Sequence, residues 1–560
     1  MPRPKTRRPT PVPTTILPEF YSPNRPPPEP PKFPTKCDII GKVLGDFGIW
    51  QLRTALIIFL VKIPAAWFMA CIIFTAPELY AGSEFYCDAD DSFNISRNQC
   101  VMTNTSNAHE ESCNEFKYDS QFYSLIMQFN LVCDRDILIA WTQFWHLFGI
   151  LVGGVLGTKM MLWISPKNVM LIGMVAQIGC GVVTGYIPDF SLHCFFRCSS
   201  AVCCALMMTA GQTIFTEITG GNYRIGLVTL YDTFWSIGLF FLPTLSSFFT
   251  SWGQIYLGIS LPTIVLIISL IWIPEAPRWL IKNKNDIAAV EKILLEAAVI
   301  NDRLYFVPEN LREELQLHAD SVSKLPSPAN WLDLWEGPRA KTHFIASHLA
   351  LAFYIINFMG MLLNTRSFGR DYLAVNTIVT GVSEVIGCFL ALYFTLKYNK
   401  WKWQYSGAFN VLAGILGCSG WLFPNSLINP ERVISWMVIS SIGKAGVSFA
   451  QSMLLACLPE LYPPFKKQPF MFSVITWARI WLLSAPFFNV LKRIDTALSL
   501  SAYSIMSILG GICMCFILTP RSKEVSPSAG RKENNMTSVW NAGQNGCDNK
   551  SFCYEYNTRF

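Results

Sequence analysis

Six ionisable residues interrupt long apolar runs: Lys62, Arg197, Asp232, Glu384, Lys444 and Arg479. A charge near the middle of a bilayer costs about 2.5–3.5 kcal/mol on insertion scales, so it faces a water-filled cavity or an opposite charge. Such a group either meets a charged solute or clamps one helix to another. Arg197 stands one helix length from Glu217 and the cytosolic side and reads as a structural clamp. Lys62 has a stem long enough to snorkel toward an interface. Asp232 stands two turns into its run and reads as the structural partner of a nearby base. Glu384, Lys444 and Arg479 remain as charges for a solute, with Trp235, Tyr354 and Phe358 as rings beside them. An aromatic face attracts an ammonium group by about 0.5–2 kcal/mol. With 14% aromatic residues in the chain, packing is the competing use of each ring.

Other chemistry lacks its residues. Gly443-Lys444 is followed by Ala445 and preceded at the first glycine position by Val438, so no Walker A phosphate loop exists. Cys194, Cys198, Cys203 and Cys204 cluster near His193 inside an apolar run, where thiols behave as small hydrophobes. Cys547 and Cys553 have no companion ligands, and none of the six histidines forms a triad with a nucleophile. No catalytic, metal or cofactor site is expected, and an enzyme is not the expected class.

The elements that position these charges are membrane spans. Of 560 residues, 51% are hydrophobic and 15% charged, well below the roughly 25% charged of soluble domains. Twelve apolar stretches are long enough to cross a bilayer, at about 54–76, 137–158, 167–187, 191–214, 225–248, 253–273, 343–364, 374–395, 404–423, 433–456, 470–490 and 497–518. The net charge of +6 leaves no basic face for nucleic acid. Residues 1–36 hold 13 of the 34 prolines and read as a disordered cytosolic tail whose PxxP spacings suit an SH3-type partner. No apolar segment follows its basic residues as in a signal peptide. The spans divide into halves at 37–274 and 343–519, around a central loop at 275–342, with a tail at 520–560.

Basic residues in short loops mark the cytosolic side. Lys397, Lys400, Lys402, Lys466 and Lys467 share that side with Arg53, so both termini are expected in the cytosol. The interval 77–136 then faces outward. Between 87 and 136 it carries nine acidic residues against Arg97, Lys117 and Arg135. It also carries Cys87, Cys100, Cys113 and Cys133, in a compartment where disulfides persist. Four cysteines allow three pairings, and spacing does not choose among them. The sequons at Asn94 and Asn104 lie in the same interval, while those at Asn535 and Asn549 fall in the cytosolic tail and read as chance. In the second span Gly149, Gly153 and Gly157 recur every four residues, the spacing of close helix contacts.

Six spans, a loop and six spans suggest two halves rocking about a central site, the plan of major-facilitator transporters. Pro274-Glu275-Ala276-Pro277-Arg278-Trp279-Leu280 is similar to the PESPRWL signature of sugar porters and organic-ion transporters. Leu131-Val132-Cys133 and the cysteine-rich interval resemble the second group and not the first. From about 37 to 520 the chain resembles the organic cation/anion/zwitterion transporters of solute carrier family 22. Gly45-Asp46-Phe47-Gly48-Ile49-Trp50-Gln51 resembles the family's start of span one. Arg197, 20 residues before Glu217, matches its fourth-span arginine, and Tyr223-Arg224, Glu384, Gly443-Lys444 and Glu460-Leu461-Tyr462-Pro463 match further motifs. The insect organic-cation-transporter-like branch is the nearest likeness.

The resemblance implies an all-α, twelve-helix fold of two six-helix halves, a plasma-membrane location and a small organic ion as substrate. It implies gating or structural roles for Arg197, Glu217, Arg224, Glu275, Arg278, Glu460 and Lys467. The family's loop between spans two and three, G-x-x-x-D-R-x-G-R-[RK], survives here only as Gly157 through Pro166 without its acid and bases. The second copy near Lys397 and Lys400 also lacks its Asp, and Lys467 replaces an Arg. Those losses leave open a non-transporting relative used as a receptor or scaffold. By the resemblance, Glu384 and Arg479 line the central cavity. Two signs in one site suit a zwitterion such as an amino-acid derivative or carnitine-like compound. If Glu384 instead pairs internally with Lys444 or Arg479, an anion fits better; a cation is the third alternative. The tandem Tyr of cation transporters is absent beside Phe358-Met359.

Overall fold

Within hydrocarbon each backbone N–H and C=O must be bonded inside its own segment, so the apolar runs fold as helices. The computed structural model describes residues 38–517 except 90–92, 97–98, 106–108, 324–329, 337–338, 369–370, 399, 419–429, 463 and 494–495. Both tails lie outside the described residues, and with them the SH3-type segment and the Asn535 and Asn549 sequons. The first half comprises α1 (Ile49–Thr75), α2 (Ile137–Met160), α3 (Pro166–Thr184), α4 (Phe190–Ile218), α5 (Gly221–Ser246) and α6 (Trp252–Trp272). The second comprises α7 (Ala340–Leu363), α8 (Leu373–Lys397), α9 (Lys402–Cys418), α10 (Pro430–Cys457), α11 (Pro464–Leu482) and α12 (Thr496–Cys515). Eleven described helices are long and apolar enough to cross a membrane. The remaining one, α9, has 17 described residues, and the end of its expected span lies outside them.

By alternation, the interval after α1 lies on one face of the bundle, called here the loop face. The interval after α6 and the lysine-rich turns lie on the other, the basic face. In the first half α4 packs on α2 and α3, and α5 on α1; in the second α12 packs on α7 and α9, and α10 on α8. The halves meet where α5 crosses α8 and α10, and where α2 meets α11. Lipid supplies no hydrophobic drive between helices, so close van der Waals fit must hold them. The glycine stripe of α2 provides it. A side chain at Gly153 would meet the Val202 carbonyl of α4 at 2.5 Å, and Gly149 and Gly157 approach Cys198 and Leu206 of the same helix.

The loop-face interval is a small β-structure. β1 (Phe85–Cys87) pairs antiparallel with β5 (Phe116–Tyr118), while β2 (Phe93–Ile95), β3 (Val101–Asn104) and β4 (Glu110–Ser112) form a second sheet. Cys87 bonds to Cys113, and Cys100 to Cys133 just before α2, resolving the pairing that spacing left open. On the basic face Asp38 caps the helix Ile39–Leu44, accepting from the N–H groups of Ile40 and Gly41. That helix packs its apolar side against helices Ile287–Ile300 and Leu311–Ser323. Asn301 fills the space of the side chain Gly48 lacks, accepts from Trp50 N at 3.0 Å and donates to Gln51 Oε1 at 2.7 Å. The Gly48–Gln51 motif is therefore a docking seat for the central interval.

Candidate functional site

Two ion pairs lie between the halves. Glu384 of α8 is fully buried, with Oε1 2.8 Å from Lys444 Nζ of α10. Lys444 donates to the Phe358 carbonyl of α7 at 2.5 Å and stands 3.7 Å from the centre of that ring. The other carboxylate oxygen, Oε2, accepts from Ser236 Oγ of α5 at 2.8 Å. This contact crosses between the halves, and Gly381 permits it, since a Cβ there would stand 3.2 Å from the Ser236 carbonyl.

Lys62 of α1 and Asp232 of α5 make the second pair. Lys62 also lies 4.0 Å from the Tyr231 ring centre. Asp232 Oδ2 accepts from Ser452 Oγ of α10 at 3.3 Å, again between halves. Lys62, whose stem also suits snorkelling, is paired here because α1 and α5 pack closely enough to bring an acid within reach. Opposite charges in a low dielectric must be paired and hydrogen-bonded to be tolerated.

Arg479 is different. Its guanidinium abuts Gly154 of α2, filling the space where any side chain there would extend. Among the described residues no carboxylate lies within ion-pairing distance of it. Gly154 sits one position beyond the stripe residue Gly153, and so faces α11 instead of α4.

The three rings divide. Phe358 holds Lys444. Trp235 is buried on α5, with no hydrogen-bond partner for its Nε1 among the described residues. Tyr354 is fully buried, and a Cβ added at Gly510 of α12 would stand 3.1 Å from its ring, so its observed contact serves helix packing.

Arg197 is fully buried and ties helices of the first half together. It donates to Gln143 Oε1 of α2 at 2.6 Å, to the Tyr256 hydroxyl of α6, and to Cys71 Sγ at 3.5 Å. On the basic face Arg278 binds Asp38 Oδ2 at 2.6 Å and donates through Nε to the Glu217 carbonyl at 3.2 Å. Arg224 donates to the Thr219 carbonyl at 2.5 Å and has Glu217 as an electrostatic neighbour. Glu460 pairs with Lys402 at 2.8 Å, while Lys467 has Arg224 across the halves and Glu460 as electrostatic neighbours. Glu275 keeps Oε2 buried without a hydrogen-bond partner among the described residues. Trp279 Nε1 donates to the Met161 carbonyl at 2.6 Å, which secures the loop that lacks the family's charges.

On the loop face Trp141 and Phe144 of α2 pack on Phe487, with ring centres 5.3 and 6.1 Å apart. The halves therefore also touch on the loop-face side of the central ion pairs. Ser236, Ser452, Gly154, Gly381 and Lys402 were not legible as site or gate residues. A serine or glycine in an apolar run is ordinary, and Lys402 read only as a topology marker.

Charged groups between two six-helix halves, along a seam of α5, α8 and α10, are the arrangement of a membrane transporter. A profile of the Major Facilitator Superfamily matches residues 135–486, and the chain belongs to that superfamily. Its curated relatives lie in solute carrier family 22. It is 22% identical to the Drosophila melanogaster organic cation transporter-like protein over 84% of this chain and 87% of that one. It is 27% identical to the Homo sapiens organic cation/carnitine transporter 2, over 73% of this chain and 72% of that one. It is 26% identical to the Bos taurus solute carrier family 22 member 1, over 62% and 59%. Among solved structures it is similar in fold to the xylose transporter XylE of E. coli, with a TM-score of 0.58 at 14% identity, over 85% of this chain and 99% of that one. The chain is a multi-pass membrane transporter, not an enzyme.

Proposed function

We propose that this transporter carries small organic anions across the plasma membrane by alternating access, with Arg479 as the charge the solute meets. One observation carries the reading: Lys62 and Lys444 each have a carboxylate, and Arg479 has none among the described residues. Among the described residues the two pairs are neutral and Arg479 has no counterion, so the charge these groups offer a solute is net positive. An anion relieves a half-buried guanidinium without a counterion among the described residues, whereas a cation would add to it. The coarser assignment, a transporter of small organic ions, is supported by similarity to proteins named for organic cations and carnitine. That likeness also favours a second reading, a zwitterion, in which the solute's ammonium competes with Lys444 for Glu384. Positive residues on the basic face support a cytosolic assignment for it, leaving Asn94 and Asn104 outside for glycosylation.

The test is uptake of labelled urate, carnitine, β-alanine and tetraethylammonium into expressing cells. Urate uptake that falls at least about tenfold in Arg479→Ala, roughly 1.4 kcal/mol, supports the anion. Carnitine or β-alanine uptake that needs both Arg479 and Glu384 supports the zwitterion instead. Absence of all uptake at normal surface expression would favour the scaffold alternative.

A further inference from the structure

We propose that Ser236 and Ser452 form a reciprocal latch between the two halves. Each half contributes a carboxylate neutralised by a lysine of its own: Asp232 with Lys62 in the first, Glu384 with Lys444 in the second. Each carboxylate then accepts a hydroxyl from the opposite half. Ser236 of the first reaches Glu384 at 2.8 Å, and Ser452 of the second reaches Asp232 at 3.3 Å.

The chemistry suits a contact that must form and break in every cycle. A cross-half salt bridge would leave two bare charges when the halves part. Here the separating atoms are a neutral hydroxyl and one oxygen of a carboxylate that keeps its own lysine. Neither half is left with an unpaired charge after opening, so the barrier stays low. Yet a hydroxyl on a charged acceptor is stronger than a neutral hydrogen bond, enough to bias the closed arrangement. Both serines are buried, at 1% and 2% exposure, and the Ser236–Glu384 contact is closed to water. Ser236 and Ser452 are positioning residues that set how long the halves stay together. The latch rests on alternating access and not on the sign of the solute.

Cys388 reports the latch without any transported substrate. It is 1% exposed on α8, with Sγ 3.6 Å from Ser448 Oγ and 3.4 Å from Ser452 Oγ, while the Ser236 hydroxyl is engaged by Glu384. In membranes from expressing cells, N-ethylmaleimide labelling of Cys388, read by peptide mass spectrometry, should rise about ten- to a hundredfold in Ser236→Ala, the size of one hydrogen bond to a charged acceptor. Ser236→Thr, which retains a hydroxyl, should label as the wild type does. For whichever of urate, carnitine or tetraethylammonium is taken up, Ser236→Ala and Ser452→Ala should each raise maximal turnover with KM changed less than about twofold. Unchanged Cys388 labelling in Ser236→Ala would overturn the latch, as would a threonine variant that behaves like alanine. A KM increase at constant turnover would also overturn it, since the serines would then be solute contacts. If Ser236→Ala fails to reach the membrane, Ser236→Cys, a weak donor, must give intermediate labelling at Cys388; wild-type labelling there sinks the idea.

Discussion

At the scale of single residues the controlling fact is that Glu384 and Lys444 are both essentially without solvent contact. Breaking such a pair costs more than removing it, because the survivor is a buried charge without its counterion. Lys444→Met should therefore lower stability by about 3–5 kcal/mol, read as a large drop in melting temperature of the detergent-solubilised protein. Adding Glu384→Gln should restore most of the loss, since the amide oxygen still accepts from Ser236 and no charge remains. A double variant as unstable as Lys444→Met alone would mean that Lys444 acts chiefly through Phe358. Arg479 follows the opposite logic. It has no counterion among the described residues, so neutralising it should leave stability near wild type while the solute loses its partner.

Among elements, α2 carries adjacent glycines with different jobs. A side chain at Gly153 meets the Val202 carbonyl at 2.5 Å and Ala205 Cβ at 2.8 Å, neither of which can swing away. The three atoms nearest to a side chain at Gly154 all belong to the flexible end of Arg479. Gly153→Val should abolish surface expression by forcing α2 off α4. Gly154→Ala should be expressed normally but displace the guanidinium and weaken uptake several-fold, read as a KM increase. Equal expression defects in the two variants would reject this division. The four-residue stripe was legible from spacing, because helical geometry puts i and i+4 on one face. The role of Gly154 was not, since it depends on which helix of the other half stands opposite.

For the whole molecule, the basic-face cluster joins the chain before α1 to the interval between the halves. Asp38 accepts from Arg278 at 2.6 Å, and His318 Nε2 lies 3.8 Å from Asp38 Oδ1. Burial holds the His318 pKa below its usual value, with Asp38 pulling it up and Arg278 pushing it down. A histidine depressed in the folded state stabilises fully above its unfolded pKa of about 6.5, and that stability is lost as pH falls through the folded value. Acidification below about pH 6.5 should lower the melting temperature, and His318→Gln should flatten that slope. An unchanged slope would place the acid sensitivity elsewhere. The disulfide pairing and the Asn301 seat for Gly48–Gln51 also belong to this scale, because each joins segments far apart in sequence.

Composition alone determined that this is a membrane protein, for scarce charge and repeated apolar runs admit helices and little else in a bilayer. The order of the runs, together with motifs such as Pro274–Leu280, identified the two-half architecture. The same scarcity made Glu384, Lys444 and Arg479 stand out as charges needing a reason. What they do to one another depended on the approach of helices remote in sequence. Only packing of α8 on α10 neutralises Glu384 with Lys444, only α1 beside α5 gives Lys62 its acid, and only the seam of α5, α8 and α10 turns two unremarkable serines toward opposing carboxylates. A charge in an apolar run is visible in one dimension because it is costly there; its counterion is a matter of distance, and distance exists only in the folded chain.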